Sequence, residues 1–365
     1  MSTPAPEVFV TALANAGSSI HVSEVQTRRR RPSDVLDEML TRVSHLDLSG
    51  KVTKLDAHLK SGGSYADIYL GCLNPDGQVV AIRQLRSHIF QEASELKKSI
   101  AYELRIWSNL HHPNVLPLKG YTLDFGQYPA FVTEWMANGT VLEFVKCTPE
   151  ADYLRLSIGI AAGLNYLHVN GIVHADMKSS NVVVSPQGEP LLIDFGLSRI
   201  LDISRVIMTT REASGTFRWM AFELCGGGRD DSECGAIFAT RASDIWAYGM
   251  IVLELLSKEY PYSHLRADFQ VYTAIHNGQL PPKPQGLSTA LDLALWTLCN
   301  RCWLLNPSLR PSASDILYSL TLLENTVCPT AYMTSEKSTN PLAKDLMGHV
   351  YVTLSCTRSQ SNISP

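Results

Sequence analysis

The sequence predicts an α+β chain, with a β-rich first part followed by a longer, mainly α-helical part. Short apolar runs separated by turn sequences occupy residues 48–85, and Asn74-Pro75-Asp76-Gly77 is the strongest of these turns. Helical spacing of apolar residues follows from Leu154, and the run Ile245–Leu256 has the length of a buried core helix. With 365 residues, 45% of them hydrophobic, the chain can bury the core of one large or two modest domains.

Charge, cysteine usage and hydropathy narrow the class of protein. The net charge of −4 gives no reason to expect nucleic acid as a main partner. The eight cysteines are scattered, which favours reduced thiols over a disulfide framework, and Cys299 and Cys302 are interpreted as part of a helix turn rather than a zinc site. No apolar run predicts a membrane span, and residues 8–15 lack the basic flank of a secretory signal. We therefore expect a cytoplasmic protein, with a nuclear location as the alternative.

Residues 1–45 are predicted to form an N-terminal extension. The basic run Arg28–Arg31 is either an exposed linker, which we favour, or a nuclear import signal. Ser33 and Asp34 then begin a short helix whose apolar face carries Leu36, Met39, Leu40 and Val43. We expect this helix to dock either on the first lobe or on a partner protein.

Two acids and an amide lie close together in the middle of the chain. The apolar runs Val182–Val184 and Leu191–Ile193 flank a Pro-Gln-Gly turn and predict a hairpin of two short strands. Asn181 precedes the first strand and Asp194 follows the second, so that their oxygens can converge on one cation such as Mg²⁺. Asp176, on the loop before the hairpin, can accept a proton from an incoming hydroxyl. These are the groups that phosphoryl transfer requires.

This stretch resembles the protein kinase family, whose pattern is H-R-D-L-x-x-x-N followed by D-F-G. The segment His174–Asn181 has the sequence H-A-D-M-K-S-S-N, and Asp194-Phe195-Gly196 follows in the family's order and spacing. The resemblance extends over about residues 46–324. It implies an α+β, bilobal protein-kinase-like fold at 46–325, with an N-lobe at 46–134 and a C-lobe at 135–325. Residues 326–365, rich in serine and threonine, are predicted to be a mobile tail.

The resemblance also implies a branch of the family. Lys178 in the catalytic loop and Thr216 are choices typical of Ser/Thr kinases, whereas Trp219-Met220 resembles the tyrosine-kinase-like branch. The segment Gly215–Glu223 resembles the family's G-T-x-R-W-M-A-P-E, with Phe222 in place of the proline.

The family's site roles are carried over position by position. Asp176 would orient the substrate hydroxyl, Lys178 would steady the transferring phosphoryl group, and Asn181 and Asp194 would hold Mg²⁺. ATP would lie between the lobes. The glycine-rich loop over its phosphates would be formed by Ser61, Gly62, Gly63 and Ala66, and the apolar residues on either side of the adenine ring would be Ile68, Ala81 and Val183. The hinge between the lobes would contribute Thr133, Glu134 and Met136. Arg83 and Glu103 would form a charge pair beside the phosphates.

The nucleotide-binding positions depart from the family pattern in two places. Arg83 replaces the lysine of V-A-I-K, and its longer planar guanidinium could crowd the phosphates. If the usual phosphate contact is lost, we expect a rate lower by roughly 10²–10³-fold. Glu103 lies on the apolar face of its predicted helix, which favours an ion pair with Arg83 over an exposed position. In the glycine-rich loop, Ser61 and Ala66 replace two of the three family glycines.

Two further contacts are expected from the resemblance, and one family contact is expected to be missing. Glu223 is predicted to be buried and paired with Arg310, and Asp244 to hold the backbone of the catalytic loop. Ala175 replaces the arginine that would grip a phosphate on the loop at 197–214. Phosphorylation of that loop is therefore not expected to be the standard activating step.

Two functional hypotheses follow. The first is a Mg²⁺/ATP-dependent Ser/Thr protein kinase of intracellular signalling with weak activity, which the retained Asp176, Lys178, Asn181 and Asp194 favour. The second is a pseudokinase, a nucleotide-binding scaffold or allosteric partner, which Arg83 and the altered glycine-rich loop favour. In both cases the expected partners are ATP and a protein.

Overall fold

The first part of the chain is built around an antiparallel β-sheet. In this computed structural model the described residues are 32–55, 61–62, 66–86, 92–195, 216–227, 238–327 and 340–348. The basic run Arg28–Arg31, Gly63, Gly196 and residues 197–214 therefore lie outside the description. Within it, the sheet has the strand order β1-β3-β4-β6-β5, with β2 paired to β3. The strands are β1 (Val52–Lys54), β2 (Ser61–Gly62), β3 (Ala66–Leu73), β4 (Gln78–Leu85), β5 (Leu118–Thr122) and β6 (Ala130–Glu134).

The predicted turn at residues 74–77 joins β3 to β4. Gly77 adopts a φ of 69°, in the left-handed region that glycine tolerates, and donates its N–H to the carbonyl of Leu73 at 2.9 Å. One face of the sheet is closed by a small apolar cluster that includes Val80 and Ile82 of β4. Alternation along the strand therefore turns Ala81 and Arg83 to the opposite face, towards the rest of the domain.

Helices α1 (Pro32–Arg42) and α2 (Ala93–Trp107) pack against each other beside the sheet. The apolar face predicted for α1 is buried in the main core. The sequence left two docking positions open for this helix, and the structure places it on the first lobe. The buried residues of α2 include all four of its predicted apolar positions, Leu96, Ile100, Leu104 and Trp107.

The second part of the chain is helical around a short hairpin. The hairpin strands are β7 (Val182–Val184) and β8 (Pro190–Leu192), so that the second strand begins and ends one residue earlier than predicted. Gly163, in the helix before the hairpin, allows close packing against the segment beside β8, because a Cβ there would lie 2.5 Å from the carbonyl oxygen of Asn114, which accepts a hydrogen bond from the N–H of Leu192. The helices of this part are α3 (Val141–Cys147), α4 (Tyr153–Val169), α5 (Arg241–Ser257), α6 (Asp268–His276), α7 (Ala290–Cys302) and α8 (Ala313–Val327).

Helix α5 is the central element of the second part. It contains the apolar run noticed in the sequence, and nearly all of its residues from Ser243 to Leu255 are buried. Cys299 and Cys302 lie buried as free thiols in the last turn of α7, which confirms that this Cys-x-x-Cys belongs to a helix. Among the described residues, no helix is both long enough and apolar enough to cross a membrane.

The prediction of a mobile tail is wrong for residues 341–348. They form a helix, α9, whose side chains Leu342, Leu346 and Met347 are part of the main core, and Ala343 is also buried. Asn340 caps the helix, since its Oδ1 accepts from the N–H groups of Leu342 and Ala343, and its Nδ2 donates to Asp315 at 3.0 Å. The serine- and threonine-rich composition of the surrounding segment obscured this short apolar pattern. The possible strand at 350–352 lies outside the described residues.

Candidate active site

A buried carboxylate on α5, that of Asp244, holds the backbone of the catalytic loop. The side chain of Asp244 is 1% exposed. Its two oxygens accept hydrogen bonds from the backbone N–H groups of His174 and Ala175, both at 2.8 Å, and Oδ2 lies 2.9 Å from Nε2 of His168. The predicted bracing of the loop by Asp244 is confirmed. His168 was not predicted, although its position in the last turn of α4 leads directly into the loop.

Asp176, Lys178 and Asn181 form one contact group. Oδ2 of Asp176 lies 2.9 Å from Nζ of Lys178 and accepts a hydrogen bond of 2.9 Å from Nδ2 of Asn181. Nδ2 of Asn181 also donates to the backbone carbonyl of Asp176 at 2.8 Å. Since both amide hydrogens are used in this way, the oxygen of Asn181 is left as the group that can face a cation.

The hairpin places Asp194 beside this group. The N–H of Ile193 donates to the carbonyl of Asn181 at 3.0 Å, across the end of the β7–β8 ladder. Asp194 comes next in the chain, with a φ of 58° that is uncommon outside glycine. The side chain of Asp194 is 28% exposed. The hairpin therefore places Asp194 next to Asn181 along the backbone, and the convergence of their side-chain oxygens on one cation stays a prediction.

The register of the sheet gathers the predicted nucleotide-lining side chains on one face. Arg83 is the cross-strand partner of Ile68 on β3 and of Phe131 on β6, and Ala81 is the partner of Thr133. Cross-strand partners project to the same side of a sheet. Ile68 and Ala81 remain half-buried on this face, whereas Thr133 is 5% exposed.

The other nucleotide-lining positions border this face. Met136 lies in a small apolar cluster against which Val183 packs. Ser61 and Gly62 pair with β3, and Ala66, at the start of that strand, is buried. Glu134 ends β6. The predicted adenine-binding roles of these residues stay predictions, because the contacts place the residues without testing the roles.

Arg83 lies between two carboxylates. Its Nη1 donates to Oε1 of Glu103 at 2.8 Å, which confirms the predicted ion pair. Its Nε lies 2.8 Å from Oδ1 of Asp194, an ion pair whose N–H does not point along the line of a hydrogen bond. The contact with Asp194 was not predicted. It joins a sheet residue of the first lobe to the residue after the hairpin of the second.

Burial shifts the pKa values of the charged groups in this cluster. The side chains of Arg83 and Glu103 are 6% and 2% exposed. Burial, aided by the charge of Asp194, raises the pKa of Glu103 to about 7 against the opposing effect of Arg83. Burial alone would lower the pKa of Arg83, but Asp194 and Glu103 together raise it, so that the guanidinium stays charged.

A row of aromatic rings connects the two lobes next to the ion cluster. The ring centroid of Trp107, at the end of α2, lies 5.8 Å from that of Phe131 and 5.6 Å from that of Phe195. Phe195 lies 6.3 Å from the ring of His174 in the catalytic loop. The guanidinium carbon of Arg83 is 5.7 Å from the Phe131 ring. Packing of these rings ties the position of α2 to that of the loop.

Glu254 is a second buried carboxylate that supports the loop. One oxygen accepts a hydrogen bond of 2.6 Å from Oγ of Ser179, and the other accepts one of 2.8 Å from Nε1 of Trp219. The sequence marked this residue only as an acid within an apolar run. Burial raises its pKa to about 8, although the hydrogen bonds from Ser179 and Trp219 act in the opposite direction.

We expect Glu254→Gln to remove a pH dependence of stability. Between its ordinary pKa of 4.5 and the folded value of about 8, Glu254 keeps a proton that the unfolded chain has lost. The free energy of unfolding should therefore fall as pH rises through this window, by up to about 1.4 kcal/mol per pH unit. Chemical denaturation at pH 5.5, 6.5 and 7.5 measures this slope. A difference between parent and variant that does not change with pH would contradict the assignment.

The predicted ion pair of Glu223 and Arg310 is confirmed. Arg310 donates to both oxygens of Glu223, at 2.8 and 2.6 Å. The predicted burial of Glu223 is wrong, because its side chain is 24% exposed, whereas the side chain of its partner Arg310 is fully buried. Phe222, in the proline position, fits because Gly227 is beside it, where a Cβ would lie 2.2 Å from the phenyl ring.

The donor set fits one magnesium ion and a phosphate chain. No group of three or more His, Cys, Asp or Glu side chains capable of holding a metal occurs among the described residues, which argues against an all-protein metal site there. Mg²⁺ needs only one or two protein oxygens when phosphate and water supply the others, and Asn181 and Asp194 offer them. Nη2 of Arg83 is a buried donor without a hydrogen-bond partner in the described structure, and an anionic ligand could satisfy it.

The fold and this site together define a bilobal domain of the protein kinase type. A family model described as protein tyrosine and serine/threonine kinase matches residues 53–320. The chain belongs to the protein kinase family, in its tyrosine-kinase-like branch.

Similar proteins come from Arabidopsis thaliana. The chain is 26% identical to serine/threonine/tyrosine-protein kinase HT1 over 295 residues, which cover 80% of this chain and 71% of HT1. It is 32% identical to mitogen-activated protein kinase kinase kinase 3 over 270 residues, 72% of this chain and 45% of that kinase. It is 27% identical to serine/threonine-protein kinase STY17 over 296 residues, 80% of this chain and 47% of STY17. The match thus spans less than half of the last two relatives.

Proposed function

We propose that this protein is a Mg²⁺/ATP-dependent kinase that transfers the γ-phosphoryl group to serine or threonine of a protein substrate, with slow turnover. We propose intracellular signalling as its setting and the cytoplasm as its location. The observation that carries the proposal is the contact group of Asp176, Lys178 and Asn181, with Asp194 held beside it by the hairpin. The Ser/Thr specificity rests on Lys178 and on the similarity to serine/threonine-protein kinase STY17.

Each side chain has a role that its contacts support. Asp176 orients the substrate hydroxyl and accepts its proton, while Lys178, 2.9 Å from Asp176, places a positive charge where the phosphoryl group passes. Asn181 and Asp194 would hold Mg²⁺, which supplies charge neutralisation on the phosphates when bound. Arg83 would contact phosphate in place of the family's lysine, with Glu103 fixing one end of its guanidinium.

One observation favours the second candidate, a pseudokinase that binds nucleotide as a scaffold. Nε of Arg83 is 2.8 Å from Oδ1 of Asp194, so the guanidinium already neutralises a carboxylate that would hold the metal. A side chain committed to two carboxylates has less charge to offer a phosphate. The same contact therefore explains both slow turnover in a kinase and loss of turnover in a scaffold, and only a rate measurement distinguishes them.

Arg83→Lys is expected to raise turnover at least tenfold if the protein is a slow kinase. The compact ammonium can keep the pair with Glu103 and leave Asp194 to the metal, recovering part of the roughly 10²–10³-fold that one charge stabiliser is worth. The measurement is transfer of radiolabelled phosphate to a generic Ser/Thr protein, with nucleotide affinity determined with and without Mg²⁺.

Arg86→Lys is the matched control. Arg86 pairs with Asp67 at 2.8 Å at the end of the same sheet, away from Glu103 and Asp194, and its replacement should leave turnover unchanged. Parent protein and Arg83→Lys that both bind nucleotide without any transfer would support the scaffold instead. Absence of nucleotide binding in both would contradict both candidates.

A further inference from the structure

We propose that helix α1 is an internal clamp that positions α2 for nucleotide binding, with Leu36, Met39 and Val43 as the positioning residues. The clamp acts through the ion pair that α2 makes with the sheet, and the inference rests on the proposed nucleotide-binding function. The family match begins at residue 53, so α1 lies outside the region that the family model covers.

The first observation is the burial of one face of α1. Leu36, Met39 and Val43 are 5%, 8% and 5% exposed and belong to the same core cluster as the buried side chains of α2. The opposite face of the helix is open to solvent, and Val35, the immediate neighbour of Leu36, is 37% exposed. Burying three such side chains contributes about 1.5–3 kcal/mol each relative to leaving them exposed. That is enough to hold α1 on α2.

The second observation is that the segment after α1 is fastened to the sheet. Leu48 donates its N–H to the carbonyl of Tyr121 on β5 at 2.8 Å, and Gly50 donates to Oδ2 of Asp124 at 2.8 Å. Gly120 allows this close passage, since a Cβ there would lie 2.3 Å from the carbonyl oxygen of Leu46. The clamp thus has two fixed ends, one on α2 and one on the sheet.

The third observation is what α2 carries. Glu103 projects from α2 to Arg83, with both side chains almost completely buried. Trp107, at the end of the same helix, packs on Phe131, which is the strand partner of both Arg83 and Tyr121. A shift of α2 would separate two buried charges and leave Glu103 without its cation, which is costly, while Arg83 would keep only Asp194 as a partner. The position of α1 is therefore energetically linked to the charge arrangement at the nucleotide site.

The test compares two aspartate substitutions in the full chain. Leu36→Asp places a charge against α2, whereas Val35→Asp makes a similar change one residue away on the exposed face. We expect Leu36→Asp to weaken ADP affinity by about 5–150-fold, the usual range for energetic linkage between sites. Hydrogen exchange of residues 93–107, measured without nucleotide, should become faster in Leu36→Asp, while helix α5 stays protected. Val35→Asp should match the parent in both measurements.

A reciprocal measurement separates a clamp from a merely structural helix. Thermodynamic linkage is reciprocal: if docking of α1 raises the affinity for a ligand, binding of that ligand must stabilise the docked position of α1. Mg²⁺-ADP should therefore slow hydrogen exchange in residues 36–43 of the parent protein. Met39→Ala, a milder change, should reduce both this protection and ADP affinity in a chain that remains folded if Leu36→Asp does not.

Two results would overturn the inference. One is faster exchange confined to α1, with α2 and ADP affinity unchanged in Leu36→Asp or Met39→Ala. The other is nucleotide binding by the parent protein that leaves the exchange of residues 36–43 unaltered. If the parent binds no nucleotide, the proposed function fails. The nucleotide-free exchange of α2 then still decides whether α1 positions it.

Discussion

Replacing Asp176 by asparagine is expected to slow phosphoryl transfer by about 10²–10⁴-fold while nucleotide affinity stays the same. The amide keeps the size of the carboxylate and can still accept the hydrogen bond from Asn181, so the loop geometry should persist. It cannot accept a proton from the substrate hydroxyl, and it no longer pairs electrostatically with Lys178. Transfer of radiolabelled phosphate, together with a binding isotherm for ADP, measures the two quantities separately.

Asp152→Asn provides the control for this prediction. Asp152 caps the N-terminus of α4 on the exposed surface, where its Oδ1 accepts from the N–H of Arg155 at 3.0 Å. The chemical change is identical, but no contact among the described residues joins Asp152 to the candidate site, so transfer should be unaffected. Equal transfer rates in Asp176→Asn and in the parent would show that the phosphate does not pass through this site.

Replacing Asp244 by asparagine is expected to lower both stability and transfer. The NH₂ group of the new amide cannot accept a hydrogen bond, so the backbone N–H of either His174 or Ala175 loses its acceptor. Each buried group left unpaired lowers the free energy of unfolding by about 1–3 kcal/mol. Ala175 has a φ of 67°, a strained conformation for a residue with a Cβ, and its N–H bond to Asp244 helps to hold it there. Misplacement of Asp176 by even 1 Å can cost about 10²-fold in rate.

Chemical denaturation and the transfer assay test the Asp244 prediction at a temperature where the variant is folded. Asp292→Asn is its control. Asp292 is 8% exposed and accepts backbone hydrogen bonds from Ser288 and Thr289 at the start of α7. It should lose stability while the folded fraction keeps its transfer rate. An Asp244→Asn protein as active per folded molecule as the parent would mean that the loop holds its shape without this carboxylate.

The local parts of the site were predictable because they are encoded by neighbouring residues. Turn and strand signals on either side of the Pro-Gln-Gly turn sufficed to place Asn181 and Asp194 at adjoining ends of a hairpin. The pair of Arg83 and Glu103 was also accessible, because an acid on the apolar face of a helix needs a buried cation as its partner.

The remaining contacts depend on packing between distant segments. No sequence pattern indicates how far the guanidinium of Arg83 reaches beyond Glu103, so the contact of Arg83 with Asp194 was not predicted. Glu254 was placed in a buried helix, but its partner Ser179 lies far away in the chain. The sequence does not distinguish docking of α1 on the first lobe from docking on a partner protein, because an apolar helix face predicts burial without indicating the surface that covers it.

Helix α9 bears on how fragments of this protein should be designed. The family match ends at residue 320, inside α8. Beyond it, Leu342 and Leu346 of α9 complete the apolar core, and Oδ2 of Asp345 lies 3.3 Å from Nε of Arg301. A fragment cut at the end of the family match would uncover that layer and invite self-association in solution. Boundaries at residues 32 and 348 retain both flanking helices and give the domain a closed apolar interior.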